Sequence, residues 1–179
     1  MKTKDIRSIK EKIKEYFFIH PTEKMRVRQL ARALEAPLPS VIRYTCELKD
    51  EEILQIIEIS NIKFYTSNRE SKKFLVEKTW FNIHSLLDSG LLDYLIKELG
   101  NPTMVLFGSY SRGEDIESSD IDIYIESSET KLNIENFEKI LERKIQIFFY
   151  ENIRKVPNPH LSNNIINGIK INGFLEVFK

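Results

Sequence analysis

Apolar residues recur at intervals of three and four over the first third of the chain and then at intervals of two, a change of period that marks helix giving way to strand. Ile6, Ile9, Ile13 and Phe17 fall on one helical face, and that helix stops near His20-Pro21. Val27, Leu30, Ala31 and Leu34 form a second stripe, which "EAPLPS" ends with two prolines that cannot continue a helix. Ser40 is then placed to cap a third helix through "VIRYTCELKDEE", where Val41, Tyr44, Thr45 and Leu48 keep the spacing of a buried face. The β-branched and aromatic run "ILQIIEISNIKFYTS" predicts a hairpin turning at Ser60-Asn61.

A further helical pattern over residues 70–87 carries Trp80, Ile83 and Leu87, with Trp80 expected to pack where two domains join. Ser89-Gly90 breaks it. Leu91, Leu92, Leu95, Ile96 and Leu99 form a strong stripe that Gly100 and Pro102 terminate. "TMVLF" then reads as a short buried strand, Asp120 to Glu126 alternate as a second, Ile134, Phe137 and Leu141 mark a helix, and "KIQIFFY" is a third strand. The tail "HLSNNIINGIKINGFLEVF" reads as a helix followed by a hairpin at Asn172-Gly173. The pattern predicts an α/β (α+β) chain: an N-terminal domain over 1–67, connecting helices over 68–100, and an α/β C-terminal domain over 101–179.

Charge changes the picture little. Lys plus Arg equals Asp plus Glu at 27 each, so no global field draws the chain to nucleic acid or acidic lipid. Residues 1–66 hold 13 basic against 10 acidic side chains, and residues 67–179 hold 14 against 17. The three-helices-plus-hairpin order resembles a winged helix-turn-helix, in which Arg26, Arg28 and Arg43 would present donors to duplex DNA. Such domains also serve as dimerisation or protein-docking modules, and that alternative stays open here. A single Cys46, on the stripe side of the third helix, is expected to be a buried thiol. No apolar run reaches the roughly 18 to 20 residues of a membrane helix, and the N-terminus has no apolar leader, so a soluble cytoplasmic protein without membrane contact is expected.

The chemistry is concentrated in "LFGSYSRGEDIESSDIDIYIE", residues 106–126. Residues two apart on a strand share a face at roughly 6.5 to 7 Å, so Asp120 and Asp122 can aim two carboxylates at one point. Hard divalent cations accept such oxygen ligands and complete their shell with water and substrate phosphates. Gly108 permits close approach of backbone to a ligand, and Ser109 adds a hydroxyl and an amide at the start of a turn, an anion site. A phosphate cradle facing a metal site implies a nucleotide.

In this order, Gly108, Ser109, Gly113, Ser119, Asp120 and Asp122 resemble the signature of the DNA polymerase beta nucleotidyltransferase superfamily, in its minimal nucleotidyltransferase form. The resemblance spans about residues 90 to 179 and implies a small mixed sheet flanked by helices and transfer of a nucleoside monophosphate, AMP first among them, from a nucleoside triphosphate to a protein or small-molecule acceptor. It also implies magnesium, or manganese in its place, held by Asp120 and Asp122. Gly108, Ser109, Gly113 and Ser119 would serve the nucleotide, with Arg112 as a charge clamp. A third family carboxylate belongs on the following strand, where this chain has Gln146, an oxygen ligand without charge. Three readings follow: an active transferase, a nucleotide-sensing regulator on DNA, and an antitoxin-like partner of a helical toxin, with a homodimer compatible with each.

Overall fold

The computed structural model describes residues 8–178, so Ile6 of the first stripe lies outside the described residues. The chain divides into two compact units, Met1–Lys78 and Thr79–Lys179.

The first unit opens with α1 (Ile9–Ile19), where Ser8 and Glu11 cap each other's backbone N–H groups reciprocally. Next come α2 (Val27–Ala33), α3 (Leu38–Asp50), and the strands β1 (Leu54–Ile59) and β2 (Ile62–Ser67). Ile13, Phe17, Leu30, Val41, Leu48 and Phe74 are fully buried within it. The β1–β2 turn is the two-residue kind: Ser60 and Asn61 both take positive φ (50° and 63°), which suits the right-handed twist of the flanking strands. Met25 pairs with Tyr65 through two backbone hydrogen bonds of 2.9 and 2.8 Å, adding a bridge beside the hairpin.

Two expectations fail here. α3 begins at Leu38, two residues before Ser40, because Pro39 in the first helical turn needs no N–H partner and starts the helix instead of ending the previous one. Cys46 is exposed, not buried, with Sγ 3.7 Å from the Tyr65 hydroxyl. The buried positions of α3 are Val41, Thr45 and Leu48, and Cys46 stands one residue past that stripe.

Helix α4 (Lys72–Asp88) carries the chain across the boundary, and Trp80, expected to pack, is 61% exposed. In the second unit α5 (Leu91–Leu99) follows a left-handed Gly90 and ends at a left-handed Gly100. The sheet strands are β3 (Met104–Phe107), β4 (Ile121–Glu126), β5 (Ile145–Tyr150) and β6 (Ile169–Asn172), with the short α6 (Gly108–Ser111) between β3 and β4. Helices α7 (Glu135–Leu141) and α8 (Pro159–Ile166) precede β5 and β6 respectively. The spatial order is β5-β4-β3-β6, with β4 and β5 parallel and the other pairs antiparallel, a mixed sheet.

Period-two alternation gives this sheet two apolar faces. Leu106, Ile121, Ile123, Ile125 and Ile145 pack with Leu91, Leu92 and Leu95 of α5 on one side. Val105, Phe107 and Tyr124 pack with Ile153, Val156 and Ile165 on the other. The hairpin expected at Asn172-Gly173 does not form. β6 pairs with β3 instead, Met104 opposite Asn172, and no strand follows among the described residues. No described helix is long and apolar enough to cross a membrane.

Candidate active site

Strand β3 delivers the chain directly into Gly108, and β4 begins one residue after Asp120. Phe107 and Asp122 are antiparallel register partners, so the turn following Phe107 lies against Asp122. Gly108 has φ 74°, and a methyl group placed on it would overlap Oδ2 of Asp122 and sit 3.2 Å from its Cγ. Only glycine fits both the backbone angle and the space. The Asp122 carboxyl is half-buried and titrates above its ordinary range, first because burial penalises its charge and second because Asp120 repels it. Asp120 is exposed and close enough for that repulsion, although it immediately precedes the strand instead of lying on it.

Gln146 of β5 is the parallel register partner of Asp122 and is exposed. Partners in register leave the sheet on the same face, so the amide stands beside the carboxylate. Among the described residues no group of three or more His, Cys, Asp or Glu side chains is placed to hold a metal. The acidic side chain of Glu126, two positions beyond Tyr124 on the same face, is engaged elsewhere: it accepts a 2.9 Å hydrogen bond from the Tyr124 hydroxyl.

The remaining predicted residues divide by role. Ser109 is half-buried in the Gly-Ser turn, where its carbonyl accepts from the N–H groups of Arg112 (3.1 Å) and Glu114 (3.0 Å). Arg112 is half-exposed and pairs with Glu114 at 2.7 Å, so a phosphate would have to compete for it. Gly113 turns the chain with φ 68°. The Ser119 hydroxyl accepts from the Ile116 N–H at 3.0 Å and its own N–H donates to the Ile116 carbonyl at 3.0 Å, closing the turn before β4. Residues 117–120 also border a cavity of about 440 Å³ whose far wall is formed by Glu135, Glu138 and Lys139 of α7.

Arg26, Arg28 and Arg43 lie in the other unit. The Arg26 guanidinium sits 5.1 Å above the Phe64 ring and that of Arg43 4.3 Å above the Tyr44 ring, with Arg43 Nε 3.6 Å from Glu47. Arg28 is exposed.

A buried polar cluster under the 108–120 loop escaped the sequence reading. Asn82 of α4, 2% exposed, donates from Nδ2 to the Tyr110 carbonyl and to Asp115 Oδ1, each at 2.8 Å. The Tyr110 hydroxyl donates back to the Asn82 carbonyl at 3.4 Å. Asp115 is 1% exposed and lies 4.0 Å from the buried Arg143 guanidinium. The available signal was an amide four residues before Leu86, on the buried side of α4.

Residues 89–172 match the nucleotidyltransferase domain family. The chain is 38% identical over 71 residues to a relative from Methanocaldococcus jannaschii named as a protein adenylyltransferase, an alignment covering 35% of this chain and 68% of that relative. No solved structure matches.

Proposed function

Because the chain belongs to the nucleotidyltransferase domain family, we propose that its C-terminal unit transfers a nucleoside monophosphate from a nucleoside triphosphate to a hydroxyl of a protein or small-molecule acceptor. Adenylate and a protein acceptor are the first choice, on the name of the relative. The observation that carries the reading is the contact of Gly108 with the Asp122 carboxylate, with Asp120 alongside: two acidic groups held against a backbone turn that has no side chain in the way.

In the transfer the acceptor oxygen bonds to the α-phosphorus, the bond from that phosphorus to the bridging oxygen breaks, and pyrophosphate departs with the electron pair. The mutual repulsion of Asp120 and half-buried Asp122 fits a divalent cation, which would relieve it. Asp120 and Asp122 would hold magnesium or manganese; when bound, such an ion supplies charge neutralisation and Lewis-acid polarisation at the phosphates. Ser109 and the turn amides take the terminal phosphates, and Gly113 and Ser119 keep the loop in shape around them. Arg112 joins only by leaving Glu114. Gln146 cannot accept the acceptor proton, because an amide oxygen is a far weaker base than a carboxylate, so that proton goes to solvent.

The test is a melting experiment. Magnesium with ATP should raise the melting temperature, since a ligand at a hundredfold excess over its dissociation constant stabilises by ~2.7 kcal/mol. Asp120→Asn with Asp122→Asn should remove the magnesium-dependent part. An unchanged shift in that variant would move the site elsewhere.

The N-terminal unit supports a second reading alongside the first. Three helices, a two-residue hairpin and the Met25–Tyr65 bridge are compatible with a winged helix-turn-helix, and α3 exposes Ile42, Arg43 and Lys49 outside its buried stripe. In this reading the unit grips duplex DNA, and the uncharged Gln146 makes the transferase unit a slow enzyme or a nucleotide sensor.

A further inference from the structure

The Gly-Ser turn lies so close to Asp122 that a methyl group on Gly108 would meet its carboxylate, so the distance between the turn and β4 bears directly on a nucleotide bound there. Something must hold α6 at that distance, and α6 is only four residues long, too short to hold itself. The buried cluster beneath it does so. Asn82 spends its amide donors on the Tyr110 carbonyl and on Asp115, and Tyr110 returns a bond from its hydroxyl to the Asn82 backbone, so α4 and the turn are tied in both directions. Asp115 passes the tie on to Arg143, which stands three residues before Gln146 and donates to the Glu142 carbonyl at 3.0 Å.

We infer that Asn82, Asp115 and Arg143 are positioning residues that fix the Gly108-Ser109 turn and the start of β5 as one body, and so set the width of the nucleotide site between them. None of the three touches Gly108, Ser109, Asp120 or Asp122 through any of these bonds; they act through Tyr110 and through the chain leading to Gln146. The inference rests on the transferase reading for its functional half and on the geometry alone for its structural half. Burial makes the Asn82 bonds to Tyr110 and Asp115 stiff, since breaking one of them leaves a buried polar partner with no substitute from water.

The experiment compares the full chain with Asn82→Leu, which keeps the branched side-chain shape and removes both donors, and with the isosteric Asp115→Asn in case the first does not fold. Two quantities are read: backbone amide exchange across residues 109–113 against that of Ile123 and Ile125 in β4, and the affinity for magnesium-ATP. The expected result is exchange at least tenfold faster in residues 109–113, with β4 amides changing far less, and a roughly tenfold loss of affinity, or about 1.4 kcal/mol. Uniform acceleration throughout the unit, or unchanged exchange at 109–113 in a folded variant, overturns the positioning claim. Equal affinity of wild type and folded variant overturns its functional half. A wild type that binds no magnesium-ATP overturns the proposed function itself and the functional half with it, while the exchange comparison still decides the structural half.

Discussion

Asp122 on β4 and Gln146 on β5 face each other across a parallel register, so their side chains leave the sheet side by side, one strand spacing of about 4.8 Å apart at the backbone. A carboxylate at position 146 would share a cation with Asp122, whereas the amide shares only an oxygen. Gln146→Asp should therefore cost little stability, because the position is exposed, and should strengthen magnesium binding and raise transfer. Every ~1.4 kcal/mol taken off the barrier is a tenfold gain in rate. A slower mutant beside an active wild type would show that the amide is the functional ligand here.

Gly108→Ala tests the close approach. The new methyl group meets the Asp122 carboxylate, and the backbone keeps a φ of 74° that residues with a Cβ disfavour. Strain of this kind costs about 1–3 kcal/mol, read as a lower urea midpoint with an unchanged slope. The magnesium-ATP melting shift should vanish with it. Full retention of that shift would mean that the turn does not border the phosphates.

Glu138 gives a pH dependence. Its carboxylate accepts the Ile145 N–H at 3.0 Å and pairs with Lys144 at 3.1 Å, and the backbone bond first, then the lysine, holds its titration below the usual 4.5. A depressed folded-state value means stability that is present above the unfolded value and is lost as pH falls through the folded one. Glu138→Gln should lower the melting temperature at pH 7, and the difference from wild type should close in acid below the usual value. A gap that stays constant down to acid would assign the effect to packing.

For the N-terminal unit, duplex binding should weaken steeply with salt, since each neutralised phosphate releases counterions. Arg28→Ala with Arg43→Ala should flatten the slope of log affinity against log salt by roughly one to two. Absence of duplex binding at low salt would leave this unit as a docking or dimerisation module.

The regular elements were legible because each answers to a local rule. The period change located the β1–β2 hairpin, Ser89-Gly90 broke α4 from α5, and alternating isoleucines placed β4. Errors arose where a non-local partner decided. Asn172-Gly173 satisfies the rules of a tight turn, yet β6 takes its pairing from β3, about 65 residues earlier in the chain, a partner that no local pattern announces. Pro39 reads as a helix breaker until its place in the first turn of α3 is known. The sequence marks Gly108 for close approach of backbone to a ligand, but its contact with Asp122 follows only from the β3–β4 register. The Asn82–Asp115–Arg143 cluster was not, because its members are 28 to 61 residues apart and become neighbours only when α4, the loop and β5 are assembled.

The central claim is nucleotidyl transfer at Asp120 and Asp122, and the most direct measurement is incorporation of label from ATP labelled at the α-phosphate, with magnesium, into the protein itself or into cell extract. Wild type should transfer label, slowly, with release of pyrophosphate, and label at the γ-phosphate should not be incorporated. Asp120→Asn with Asp122→Asn should abolish the signal. Transfer from the γ-position, or α-label transfer that survives the double substitution, would contradict the account.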